Sequence, residues 1–152
     1  MRFEQTGTIL KKLAPDYHRA VSELYQNMAD GEVSPRVRLM LDYLIDHEQH
    51  RALALKEFCD ETTPQTLEHW HKGLEVEFPH ACPGILGENA RTDLDQLLCA
   101  AITYKTTLLN YFEHLLEKSN DKKTASLFLA LKNQEEKAMK RMIRHAQGLA
   151  DL

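Results

Sequence analysis

The stretch VRLMLDYLIDHEQHRALALKEF, residues 37–58, decides the fold. Apolar residues recur every three or four positions, at Val37, Leu41, Leu44, Leu55 and Phe58, with Arg51 or Ala52 in phase. That period is the mark of an amphipathic helix with one face against a core. The same face carries Glu48. A carboxylate on a buried stripe is rare unless it is paired or holds a metal. The helix begins at Ser34-Pro35, an N-cap residue followed by proline at the first helical position, and runs to about Asp60.

Working outward, three more segments repeat the pattern. Upstream, about 3–29 carries Leu10, Leu13, Tyr17, Val21, Leu24 and Met28. Pro15 should kink that helix or split off a first piece, and Asp30-Gly31 should end it with a left-handed glycine. Downstream, about 92–118 carries Leu94, Leu98, Ala101, Lys105, Leu108, Phe112 and Leu115. After the turn Ser119-Asn120-Asp121, about 122–149 carries Phe128, Leu131, Glu135, Ala138, Met142, Ala146 and Leu149. Between the second and third helices, residues 61–92 are punctuated by Pro64, Gly73, Pro79, Pro83, Gly84 and Gly87. Structureless loops of that length are rare in compact domains. A structured crossover is expected, with a short helix over 64–75 carrying Trp70. The connections are short, long, short. The long one lets the second and third helices run parallel, and a simple up-down arrangement is the competing topology.

Glu48, Lys105, Glu135 and His18 each lie roughly 14–16 residues from their nearest tight turn. At about 1.5 Å per residue this is ~21–24 Å, one layer at mid-height. Carboxylate di-metal bundles place a Glu on each of two helices and a Glu-x-x-His on each of the other two. Here the i+3 partner of Glu48 is Arg51 and that of Glu135 is Ala138. Lys105 stands where the third helix would carry a carboxylate. The first helix offers Tyr17 or His18, with Glu23 further along. A polar core layer of Glu48, Arg51, Lys105 and Glu135 without metal fits this pattern. Iron or manganese on Glu48, Glu135, His47, His50, Glu23 and His18 is the alternative, giving an oxidoreductase or a metal store.

The stretches Arg19-Ala-Val-Ser-Glu-Leu-Tyr25, Leu39-Met-Leu-Asp-Tyr-Leu-Ile-Asp-His-Glu-Gln-His50 and Asn133-Gln-Glu-Glu136 resemble small bacterial ferritin-like proteins, rubrerythrin-like in outline. The resemblance spans nearly the whole chain. It implies an all-α, ferritin-like antiparallel four-helix bundle over 1–152, with the long crossover at about 61–92. The ligand set departs from the rubrerythrin pattern, so the metal site it implies is degenerate.

Other signals are weaker. His47-Glu48-Gln49-His50 lacks the histidine at i+4 that a zinc peptidase needs, because position 51 is Arg. No Gly-x-x-x-x-Gly-Lys-Ser/Thr loop is present to cradle a nucleotide. His69, His71, His80 and Cys82 form a thin case for zinc, and the His69-x-His71 spacing suits a strand. Trp70 reads as a plug over the core and Cys99 as a buried thiol. Lys137, Lys140, Arg141, Arg144 and His145 read as a solvated basic face near a helix C-terminus. A small-molecule pocket between helices or under the crossover has no positive signal.

Net charge is −4, from 19 basic and 23 acidic residues, which disfavours nucleic acid and anionic membranes as partners. Cys59, Cys82 and Cys99 are odd in number, without CxxC, which points to a reducing cytoplasm. No signal peptide or membrane span is expected. The expectation is a non-catalytic bundle, without cofactor, that works in protein association, as a homodimer or on another protein partner.

Overall fold

Four long helices carry the chain, and the remaining segments feed them. The computed structural model describes residues 2–74 and 77–152. The chain opens with β1 (Arg2–Gln5), a single helical turn α1 (Thr6–Thr8), and a π-helical turn Ile9–Leu13 that runs into α2 (Ala14–Ala29). The first helix therefore does not start near Phe3. Pro15 explains the π turn: it has no N–H to donate, and its ring crowds the carbonyl four residues back. The Ala14 N–H instead reaches five residues back to the Ile9 carbonyl, and the helix widens without breaking.

The left-handed glycine stop is not formed, since Gly31 lies outside that backbone region. α2 ends with ordinary turns, Asp30 N–H donating to Gln26 O at 3.1 Å and Gly31 N–H to Met28 O at 3.1 Å. What Gly31 provides is room. A Cβ there would collide with the Arg91 guanidinium, which donates to Met28 O at 3.0 Å.

α3 (Pro35–Asp60) starts with Pro35 in its first turn. Ser34 has the extended N-cap backbone, yet its side chain makes no capping bond, and its N–H donates to Arg91 O at 2.8 Å. The helix expected over 64–75 shrinks to one turn, α4 (Pro64–Leu67). It gives way to β2 (Trp70–Leu74), antiparallel to β1, with Gln5 opposite Trp70 and Glu4 opposite His71. Two 3-10 turns, Pro83–Ile85 and Glu88–Arg91, lead to α5 (Leu94–Lys118). Asp93 caps α5, accepting from Asp95 N–H at 3.0 Å and Gln96 N–H at 3.3 Å. Asp121 caps α6 (Lys122–Ala150), accepting from Thr124 N–H at 3.0 Å and its hydroxyl at 2.7 Å.

The molecule is all-α apart from the two short strands. α2 packs along α3 and α5 along α6, and α3 also touches α5 and α6. One apolar core joins all four, through Val21, Leu41, Leu44, Leu108, Phe112, Leu131 and Met142. Every stripe residue expected on α6 is buried, Glu135 included. At one end, Arg91 O meets Ser34 N–H, and Arg36 donates to the Leu152 carbonyl. The start of α5 and the end of α6 are thus tied to the start of α3. Trp70 is no plug, being 51 % exposed, and Cys99 is exposed, not buried. Among the described residues no helix is long and apolar enough to cross a membrane.

Candidate functional site

Each long helix sends one polar side chain or more into the middle of the core. α2 supplies His18, α3 supplies Glu48 and Arg51, α5 supplies Lys105 and α6 supplies Glu135. Their exposures are 0, 2, 9, 1 and 1 % in that order, so only the edge of Arg51 meets solvent.

Lys105 is the hub. Its Nζ lies 3.0 Å from Glu48 Oε1 and 3.1 Å from Glu135 Oε2. Arg51 Nε donates to Glu135 Oε1 at 2.7 Å, and a second guanidinium nitrogen reaches Gln134 Oε1, the side-chain amide oxygen, at 3.5 Å. His18 Nδ1 bonds Glu48 Oε2. Its Nε2 sits 3.3 Å from Glu135 Oε1, close enough for charge attraction but without hydrogen-bond geometry. All four carboxylate oxygens therefore have a cationic or imidazole partner. That is the condition under which buried charge is tolerated.

The electrostatics follow from this geometry. Burial by itself pushes the Glu48 carboxyl up, but Lys105 and His18 outweigh it and hold Glu48 at about 2. Glu135 is likewise held well below the usual carboxylate range, burial being overcome by Lys105, His18 and Arg51. Burial would strip the proton from His18 and Lys105, yet the two glutamates push both upward. With His18 protonated, three cations face two anions. Phenols wall the layer: Tyr17 donates to Tyr104 O at 2.6 Å, and Tyr104 donates to Cys82 O at 2.8 Å. Burial first, and Glu48 second, raise the Tyr17 and Tyr25 phenols, so neither ionises.

The structure thus brings together His18, Glu48, Arg51, Lys105 and Glu135. It does not bring in the other metal candidates. Glu23 is on the exposed side of α2. His50 is exposed, with Nδ1 2.8 Å from Asp46 O. His47 is half-buried and stacks on Tyr43 at 5.8 Å, which in turn stacks on His145 at 4.0 Å. Burial, then Lys105, lowers His47 to about 4. Among the described residues no group of three or more His, Cys, Asp or Glu is arranged to hold a metal ion. The donor chemistry explains this. A di-metal centre needs carboxylates where Lys105 stands and histidines where Arg51 and Ala138 stand, and two fixed cations beside the glutamates repel a dication. These residues do not fit a metal pair.

The zinc candidates of the crossover also separate. His71 is buried in β2, its Nε2 2.9 Å from Thr6 Oγ1, whereas His80 and Cys82 are exposed. The basic residues of α6, Lys137 to His145, are solvent-facing.

His18 is the member that a stripe drawn through Leu13 and Tyr17 leaves at the edge. A second pattern on the same helix, Ala14, His18, Val21, Tyr25 and Met28, alternates steps of four and three, and all five are buried. That alternation is the signal that places His18 inside. No family model, curated protein or solved structure matches this chain.

Proposed function

We propose that the chain is a ferritin-like four-helix bundle in which a buried ion-pair network takes the place of a di-metal centre, and that it works by protein association rather than catalysis. The bundle reading rests on the end ties: α3 and α5 both start beside Arg91, which supports parallel running and a crossover through α4 and β2. The single observation that carries the functional reading is the Lys105 ammonium, 3.0 and 3.1 Å from the two glutamates. It neutralises them where a cation would otherwise be required. The network leaves no exposed nucleophile, base or open coordination position. Its work is to hold four helices in one register, a role for which buried charge suits better than for stability.

The association half rests on α3. Leu39 and Leu53 are 49 and 62 % exposed and lie two heptads apart, on one face with Tyr43 between them in phase. A homodimer through that face is the reading we favour. The free thiols Cys59, Cys82 and Cys99 are in keeping with a reducing cytoplasm.

Chelator-free purification followed by elemental mass spectrometry tests the first half. Iron and manganese should be far below one equivalent per chain, even after incubation with ferrous iron. One or two equivalents would overturn the reading. Sedimentation equilibrium tests the second: a dimer is expected, and Leu53→Glu should shift it to monomer without loss of helicity.

A further inference from the structure

α3 and α6 lie side by side, and three ties fix their antiparallel register. Arg36 donates to the Leu152 carbonyl, Tyr43 stacks on His145 at 4.0 Å, and Arg51 bonds Glu135 at 2.7 Å. In that register Leu39 is level with Gly148, Tyr43 with Arg144 and Asp46 with Arg141.

Both trios look outward from the face that the two helices share. Leu39, Tyr43 and Asp46 follow steps of four and three, and Arg141, Arg144 and Gly148 follow steps of three and four, so each trio occupies one side of its helix. Tyr43 is half-buried and the other five are exposed. The stacked pair Tyr43 and His145 marks the seam between the helices. The opposite edges are marked by Ile45, whose carbonyl accepts from Ser22 of α2, and by Lys132, which lies 3.5 Å from Glu113 of α5.

Three features of this face have no explanation within one chain. Leu39 is 49 % exposed. Gly148 sits inside α6 without a positive φ, and a Cβ added there would meet nothing within 4 Å. Neither backbone nor packing calls for glycine, a residue that weakens a helix. Arg141 and Arg144 have no ion-pair partner among the described residues, and Asp46 has only His50 of its own helix.

A second copy of the chain accounts for all three. A two-fold axis along the helices lays α3 of each copy on α6 of the other at unchanged height. Leu39 then sits over the gap left by Gly148, Asp46 faces Arg141, and the Tyr43 ring faces the Arg144 guanidinium. His50 comes level with Lys137, a pair that adds nothing. An axis across the helices would instead set α6 on α6 and oppose its cations. The area is also sufficient. α3 rises about 40 Å and two adjacent helices are about 20 Å wide, giving about 800 Å², the share of one partner in a standard interface.

We propose that the chain forms a two-fold dimer in which α3 of each copy docks on α6 of the other, with Leu39 seated over Gly148 and Asp46 paired with Arg141. This rests on the association reading above and supplies the surface that receives α3.

Sedimentation equilibrium of the full chain and its variants tests it, with circular dichroism to show that the helices are retained. Asp46→Arg and Arg141→Asp should each weaken the dimer roughly five- to tenfold, and the two together should restore most of the loss, because each reversed charge meets its reversed partner in the other copy. Gly148→Leu fills the gap and should weaken the dimer at least as much. A dimer that Leu53→Glu disrupts but that ignores Arg141→Asp and Gly148→Leu would overturn the docking on α6 and leave the association reading standing. Two single losses without recovery in the double variant would overturn the Asp46–Arg141 pairing. A native chain that stays monomeric at every concentration would overturn both readings.

Discussion

Lys105 separates two carboxylates that would otherwise face each other across a dry core, and its removal is the most direct probe of the network. Lys105→Met keeps the length of the side chain and deletes the charge. Breaking a buried pair in this way costs about 3–5 kcal/mol, because the partners remain behind unpaired. Against a typical total of about 5–15 kcal/mol, urea denaturation should show a protein near the edge of unfolding. Adding Glu48→Gln to that variant should recover part of the loss, since Glu135 keeps both Arg51 and His18. No change, or a gain, in Lys105→Met would sink the compensation idea. His18 has a different signature, in pH. Its proton is held more tightly folded than unfolded, so its contribution is complete below about pH 6.5 and disappears as pH rises through the elevated folded value. His47 and His71 have the opposite sign: burial holds both at about 4, so they resist protonation and oppose folding as pH falls from 6.5. Glu48 adds stability above about 4.5 that is lost as pH falls towards 2. Stability should therefore climb from acid pH to a maximum near pH 6.5 and then decline. In His18→Gln the decline on the alkaline side should be absent until the Cys59 thiol, raised by burial, begins to ionise in the unfolded chain near pH 9. Glu48, Arg51, Lys105 and Glu135 were legible as a layer because each sits in phase on a single clear stripe. His18 was legible only at the border of its stripe, because α2 buries a broad face; Glu23, about 140° round the same helix, is exposed.

At the level of elements, the four long helices were legible from their 3.6-residue period, which survives because each packs one face into a common core. The small sheet was not. The His69-x-His71 spacing suits a strand, but β1 and β2 are 4 and 5 residues long and pair across more than sixty positions, so no local pattern announces their pairing. The contact continues past the strands, where Thr6 N–H bonds His69 O at 2.9 Å and α1 packs against α4. Helix starts are legible, at Pro35 and Lys122, but the chemistry of their caps is less so. Ser34 has the favoured residue type and makes no capping bond, while Asp93 and Asp121 carry the caps of α5 and α6. Asp93 accepts two backbone N–H groups, and Asp93→Ala should cost about 1 kcal/mol, read as a lower urea midpoint at unchanged slope. Ser34→Ala should be close to neutral by the same measurement. A larger loss for Ser34→Ala than for Asp93→Ala would mean that the start of α3, tied to Arg91, depends on the serine in a way its backbone bond does not account for.

For the molecule as a whole, the question is whether the helices hold a metal-sized space that a protein cation now fills. The layer draws on every long helix, so its geometry is set by the packing of the entire core and should persist when one member changes. Lys105→Glu combined with Arg51→His replaces two cations by ligands. His18, Glu48 and Glu135 would then surround the same space without Lys105 or Arg51, the two fixed cations that oppose a metal ion. In the absence of metal this variant should be less stable than the native chain, with three carboxylates crowded together and incompletely neutralised. A divalent ion that binds only the folded state raises stability by RT ln(1 + [L]/Kd), about 2.7 kcal/mol at a hundredfold excess over Kd. Addition of manganese should therefore raise the melting temperature of the double variant by several degrees, and leave that of the native chain where it was. A response in both would place the metal somewhere other than this layer. A response in neither, from a variant that still folds, would mean that the four helices close too tightly around Lys105 to admit an ion with its ligands. The network would then be a specific packing solution of this chain, with register as its whole purpose.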